Sequence, residues 1–367
     1  MKLKEIELRT LHLPLVRPFR TSFGTQTSRE VLIVKVTNEN GTAGWAECVA
    51  MSEPLYSPEY VAGCSDLIKR FLVPALKAKP EINVEDVANV LKPFLAGQMA
   101  KASLETAILD AQLKDRKVSL ASYLGATKSK VECGVSVGIA NNLEALGEEV
   151  KSYVDAGYRR IKLKIEPGWD IEAVKYIRNL YPDIPLQVDA NQAYSRNDGK
   201  HLARLDEFNL LLIEQPLDEH DILGHALLAK EVKTAICLDE SIISLQSAED
   251  ALALKATTII NIKPGRVGGY LESVKIHDLC LKNKIPVWCG GMLETGIGRA
   301  ANLALAALPG FALPGDTSAS ARYFKQDITT PFVMEDGYLT VPNKPGIGVE
   351  PDMDFLESIT RSKEIIR

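Results

Sequence analysis

Five ionisable residues share nearly one interval along the chain. Lys164, Asp189, Glu214 and Asp239 are each 25 residues apart, and Lys263 follows after 24. Carboxylates gathered in one place repel strongly, because unit charges a few ångströms apart interact by several kcal/mol at a protein-like dielectric. Asp189, Glu214 and Asp239 therefore ask for a divalent cation as their common ligand. Oxygen donors without His or Cys favour a hard ion, Mg2+ ahead of Mn2+ or another divalent metal. A lysine precedes the acids and another follows them. Partial desolvation beside a bound cation lowers a lysine's pKa and makes it a base near neutral pH. The implied chemistry is removal of a proton beside a carboxylate, with the resulting enediolate stabilised by the cation. Any one of these acids alone reads equally well as a helix cap or a loop tie; the shared interval makes them a set.

Convergence requires that the five residues hold equivalent places in repeated units. From about Val131 onward, short apolar runs alternate with helical stretches. The runs are residues 133–139, 160–165, 185–191, 210–216, 235–241, 258–264, 286–291 and 310–316, eight in all. Each of the five residues sits toward the C-terminal end of its run. An eightfold β/α alternation is the signature of a closed parallel barrel, whose C-terminal strand ends carry the active site. A doubly wound sheet is the alternative, but no GxGxxG follows the first run.

The first third is different. Residues 30–36 and 44–49 read as strands, separated by the hairpin signal Asn40-Gly41. Apolar spacings of three and four predict helices over 60–72, 84–95 and 99–117. Strands followed by helices suggest an α+β domain. After about residue 321 the alternation stops, and 337–341 reads as a strand. The expected fold class is α/β: an α+β capping domain over 1–128, a TIM-like barrel over 129–322, and a C-terminal tail over 323–367 that returns to the cap.

Further residues enter by position. Lys162 lies one pleat from Lys164 on the same side of its strand, within reach of a substrate carboxylate. Lys164 is preferred as the base because it keeps the interval. The segment Gly290–Arg299 reads either as a tight turn opening a helix or as an amide cradle for an anion. In the second reading Gly291, Met292, Glu294 and Ile297 meet the substrate. Ser136 on the first barrel run lines the pocket or simply packs. Arg266 pairs with the substrate or with a neighbouring helix. Trp45 and Trp288 read as core.

Composition excludes several classes. The net charge is −5 with acids and bases intermixed, so nucleic acid and anionic membranes are not expected partners. No stretch is apolar for the ~18 residues that a membrane helix needs. The N-terminus lacks the apolar core of a signal peptide, and the six cysteines form no CxxC pair. These features place the chain in the cytoplasm, with reduced thiols.

Taken as a set, KLK at 162–164, DAN at 189–191, EQP at 214–216, DES at 239–241, KPGRVGG at 263–269 and GGMLETGIGR at 290–299 resemble the enolase superfamily. A lysine on the second barrel strand and another on the sixth resemble its muconate-lactonizing subgroup. The mandelate-racemase subgroup carries a His on the seventh strand, and PVWCGG offers none. Within the subgroup, RPFRTSFGTQTSRE, GWAECVA, PLYSPEYV and LPGDTSASARYF are similar to the o-succinylbenzoate synthase / N-succinylamino acid (N-acylamino acid) racemase family.

That resemblance implies a (β/α)7β barrel under a capping domain. It implies Mg2+ on Asp189, Glu214 and Asp239, and Lys164 and Lys263 as acid–base residues. It implies a small carboxylate substrate met by Lys162, Asn191 and Arg266, and cap loops that close over it with Phe19, Phe23, Met51 and Tyr56. The activity implied is Mg-dependent o-succinylbenzoate synthesis, the dehydration of 2-succinyl-6-hydroxy-2,4-cyclohexadiene-1-carboxylate in menaquinone biosynthesis. N-succinylamino acid racemisation accompanies or replaces it. A homo-oligomer is also implied. Dipeptide epimerases commonly carry DxD on strand eight; here Asp316-Thr317-Ser318 lacks the second acid, leaving Asp316 as a substrate contact. Muconate cycloisomerase is a further alternative that the cap segments disfavour. A phosphate-binding aldolase leaves the three acids unexplained, and a purely structural metal barrel leaves the lysines unexplained.

Overall fold

The computed structural model describes all residues 1–367. Its first sheet is built on a hairpin longer than the apolar pattern predicts. Strands β1 (Leu3–Thr21) and β2 (Gly24–Asn38) pair antiparallel, and β3 (Ala43–Cys48) adds across the Asn40-Gly41 turn. Sequence reading missed β1 because Pro14 and Pro18 discourage a strand. The register slips between Pro14 and Phe19, a bulge that takes up the prolines and lets pairing resume. The hairpin tip, Phe19 to Gly24, then reaches the barrel mouth. There the Ser22 hydroxyl donates to the carbonyls of Ala190 and Asn191 at 3.1 and 3.3 Å, and Arg20 pairs with Glu166 at 2.8 Å.

The helices of the first third follow the expected spans with two differences. The first continues past Leu72 to Lys77 through a π-helical turn at Ile68–Leu72. The second ends at Leu91 rather than residue 95, because Pro93 has no N–H to continue the helical hydrogen bonds. The third, Gln98–Arg116, is wedged between cap sheet and barrel and is buried on most sides. Gly44 of β3 permits this approach: a Cβ there would lie 2.0 Å from the Ala107 carbonyl oxygen.

After the short strand β4 (Lys130–Glu132), seven parallel strands form one sheet in chain order. They are β5 (Gly134–Val137), β6 (Arg160–Lys164), β7 (Leu186–Asp189), β8 (Ile213–Glu214), β9 (Ile236–Leu238), β10 (Ile259–Ile262) and β11 (Val287–Cys289). The eighth run forms no strand. It closes the barrel through single bridges, Phe311 to Val287 on one side and Gly315 to Cys133 on the other. Pro314 has no N–H to donate, so a regular ladder cannot run through this segment. The tail serves both domains: β12 (Tyr338–Thr340) pairs with β4, and β13 (Thr360–Ile366) pairs with β1. The main apolar core of 97 buried residues runs through cap and barrel, and a separate cluster joins Leu212, Cys237, Ile259 and Trp288. No helix is long and apolar enough to cross a membrane.

Candidate active site

The barrel register sets the functional side chains side by side. Lys164 is paired with Asp189 across β6 and β7, and Asp189 with Glu214 across β7 and β8. Asp239 and Lys263 stand one residue beyond the ends of β9 and β10. Lys162 faces the same interior from two residues earlier. All six are buried, the most exposed at 8 %. Backbone leaves the strands abruptly here: Asn191, Gln192 and Gln215 have φ of 40°, 68° and 35°, a left-handed conformation uncommon for residues with side chains.

The acids are met by cations. Lys164 Nζ lies 2.6 Å from both Asp189 Oδ2 and Asn191 Oδ1. Lys263 Nζ lies 2.8 Å from Asp239 Oδ2 and 2.9 Å from the Tyr56 hydroxyl. Arg266 takes the other oxygen of Asp239, reaches the same hydroxyl at 3.3 Å, and is braced by the carbonyls of Ile242 and Asn261, both at 2.8 Å. Lys162 joins three acids: Asp316 at 2.7 Å, Glu214 at 3.0 Å and Asp189 at 3.2 Å. Asp316 is shared with Arg160 at 2.9 Å. With their oxygens drawn onto these cations, no three acids stand at coordination distance.

The titration behaviour follows from this pairing. Burial disfavours the charged forms of Lys162 and Lys263, but their acids outweigh it and hold both above the ordinary lysine range. Asp239 sits directly on the Lys263 ammonium and favours its charged form. Burial raises Asp189 and Asp239, yet nearby cations pull both below the usual carboxylate range. Glu214 goes the other way: burial and the charge of Asp189 outweigh Lys162. Glu240 is pushed up to about 8 by burial and Asp239, and its Oε2 has no hydrogen-bond partner. The donor set thus fits a hard divalent cation. It consists of buried carboxylate oxygens, two of which, at Glu214 and Glu240, have too little positive charge nearby to hold their carboxyls in the ordinary range.

The cap completes the site. A cavity with about 40 Å3 of water-accessible space lies between the two lysines. Phe19, Phe23, Met51 and Tyr56 line it from above, and Asn191, Gly291 and Met292 from the barrel. That volume admits one or two waters. Glu294 and Ile297 border another cavity beside Lys263, together with Glu47. Ser136 lies in the barrel interior beside Lys162, outside both cavities, its hydroxyl unpartnered. Trp45 and Trp288 are buried core. Sequence reading missed Arg160, Glu240, Asn261 and Arg29. Glu240 was visible inside the DES motif. Asn261, whose amide donates to Glu214 at 2.8 Å, carried the signal of a polar residue within an apolar strand.

Comparison with known proteins agrees with this architecture. Residues 5–125 match the mandelate racemase / muconate lactonizing enzyme N-terminal domain, and 145–355 match the enolase C-terminal domain-like family. An N-succinylamino acid racemase from Amycolatopsis is 54 % identical over 99 % of both chains. An o-succinylbenzoate synthase from Geobacillus kaustophilus is 46 % identical over 98 % of this chain and 96 % of its own. The crystal structure of an enolase-superfamily member from Listeria innocua superposes with a TM-score of 0.95 at 43 % identity, covering 100 % of this chain and 99 % of that one.

Proposed function

This chain belongs to the mandelate racemase / muconate lactonizing enzyme family of the enolase superfamily, and from that premise we propose that it is an o-succinylbenzoate synthase that also racemises N-succinylamino acids. Its full-length relatives carry either name. Both reactions begin with the same step, removal of the proton α to a carboxylate.

The observation that carries the reading is the placement of Lys164 and Lys263. Both line one cavity from different strands, and each ammonium is hydrogen-bonded to its own acid. A substrate α-carbon held between them presents one face to each lysine. In dehydration, Lys164 takes the α-proton and then gives it to the departing hydroxyl, so that water leaves from the same face. Lys263, kept protonated by Asp239, balances the negative charge that develops on the substrate carboxylate. In racemisation one lysine removes the proton and the other returns one from the opposite face. Arg266 shares both partners of Lys263, Asp239 and Tyr56, and so positions that ammonium. The apolar cap residues exclude water from the reacting carbon.

Members of this superfamily generally bind a divalent metal. Asp189, Glu214 and Asp239 are the residues that would hold it, and Mg2+ is the ion their oxygens suit best, with Mn2+ as a substitute. When bound, it supplies positive charge that lowers the energy of a deprotonated substrate carboxylate. The buried free cysteines fit a reducing compartment such as the cytoplasm, and the resemblance predicts a homo-oligomer in solution.

One assay tests the reading. The protein is incubated in D2O with Mg2+ and N-succinylphenylglycine, and separately with the cyclohexadiene substrate of menaquinone synthesis. We expect α-proton exchange on the first and dehydration of the second, both abolished by EDTA and restored by Mg2+. Inactivity on both substrates refutes the proposal and points to dipeptide epimerase or muconate cycloisomerase activity.

A further inference from the structure

Arg29 is the one arginine that lines the cavity between the two lysines. It projects from β2 in the cap and is only 1 % exposed. Its guanidinium is poorly satisfied. Nη2 donates to the carbonyls of Val49 and Ala50, both at 3.3 Å, and Nε has no acceptor. Burying a guanidinium without a paired anion is costly. Burial pulls Arg29 below its ordinary range, against the more distant charges of Glu47 and Glu294.

An unpartnered Nε is shared by Arg160, Arg299 and Arg322, so position rather than pairing sets Arg29 apart. Arg160 has the carboxylate of Asp316 at 2.9 Å, and Arg322 has Glu149 at 3.8 Å. Arg299 is held by the carbonyls of Ser318 and Glu294. None of these lines the cavity, whereas Arg29 does, on the cap wall beside Gln26 and Met51.

The placement matters for the substrate. Lys164, Lys263 and Asn191 form the barrel side of the cavity, where the reacting carbon and its carboxylate belong. An acyl arm extending from that carbon toward the cap would meet Arg29. The group that meets it there is a cation lacking an anion. A guanidinium fork matches a carboxylate in shape and charge. We propose that Arg29 recognises a second carboxylate, at the end of the acyl arm remote from the reacting carbon. It thereby selects dicarboxylate substrates over neutral N-acyl ones. This inference rests on the function proposed above and supplies a residue for the succinyl end of the substrate. Neither catalytic lysine is used for that task, since both are committed to the α-carbon.

The test is a comparison of two ligands. N-succinylphenylglycine ends in a carboxylate; its succinamoyl counterpart ends in an uncharged amide of nearly the same size. Affinity is measured by calorimetry, and kcat/KM by proton exchange, for the Mg2+-loaded wild type and for Arg29→Met and Arg29→Lys. We expect the wild type to prefer the succinyl compound by ~30-fold or more, the scale of a buried charge-assisted pair. In Arg29→Met that preference should fall to within ~3-fold. Arg29→Lys should fall between, since it keeps the charge and loses the fork. Equal losses on both ligands in Arg29→Met would assign the residue to holding the Val49–Ala50 turn and overturn the proposal. So would a wild type without preference, a result that needs no variant to fold. Succinyl-selective binding that depends on Arg29, with no proton exchange on either ligand, would sustain the anion site and refute the proposed function.

Discussion

Replacing one lysine should silence one face of the substrate and spare the other. Lys164→Ala removes the base from the β6 side, and Lys263→Ala removes its counterpart after β10. The site should survive either change. Asp189 keeps Lys162 at 3.2 Å when Lys164 is lost, and Asp239 keeps Arg266 when Lys263 is lost. Neither carboxylate is therefore left buried and unpaired, the circumstance that makes such truncations destabilising. What disappears is acid–base catalysis at one face, worth roughly 10²- to 10⁴-fold, or about 3–5 kcal/mol of barrier. The assay is proton NMR of each enantiomer of N-succinylphenylglycine in D2O. In each variant, exchange of one enantiomer should fall by that factor while the other continues at ~10 % or more of its wild-type rate. The retained enantiomer should switch between the two variants, and net racemisation should be lost in both. If both variants lose exchange of the same enantiomer, the lysines do not face each other across the α-carbon. If either variant keeps both exchanges at the wild-type rate, the assignment of that lysine fails.

Asp316→Asn takes away the only carboxylate that reaches Arg160 and one of three around Lys162. A buried cation left without its partner costs ~3–5 kcal/mol, so the urea midpoint should drop markedly; an unchanged midpoint would mean that Asp316 contributes no pairing. Glu105 supplies a pH test. It is buried on the cap helix Gln98–Arg116 and accepts the Leu271 N–H of the barrel at 3.1 Å. Burial raises its carboxyl to about 7. A carboxyl whose pKa is higher folded than unfolded adds stability below the unfolded value, near ~4.3. That stability is lost as pH rises through the folded value. Glu105→Gln keeps the acceptor and removes the titration, so wild-type stability relative to this variant should fall by up to about 3 kcal/mol between ~pH 4.5 and ~pH 7.5. Glu47 is also raised to about 7, but it is present in both proteins and drops out of the difference. A pH-independent difference in stability would refute a buried, titrating Glu105.

Much of the barrel was legible because its signal is periodic. A strand–loop–helix unit repeats every 25 residues or so, and equivalent residues of a closed barrel point to one centre. The interval from Lys164 to Lys263 therefore marks one ring of side chains before any coordinates are known. Legibility failed where the local pattern was overruled. The prolines of β1 hid a strand that long-range pairing with β2 sustains. The segment 310–316 looked like its seven predecessors in sequence, yet Pro314 leaves it closing the barrel with isolated bridges.

The sequence by itself determined which residues share one interval: three carboxylates, with a lysine flanking them on either side. Only the tertiary structure decided what surrounds them. Tyr56 meets Lys263 across 207 residues of chain, and Arg29 lines the same cavity as the lysines from strand β2 of the cap. Lys162 proved to be the hub of Asp189, Glu214 and Asp316, a role that its place beside Lys164 does not disclose. The physical reason is the range of the forces. Residue type and strand periodicity are local and can be read in order along the chain. Charge balance and cavity shape depend on every group within a few ångströms, and those groups come from segments that only folding brings together.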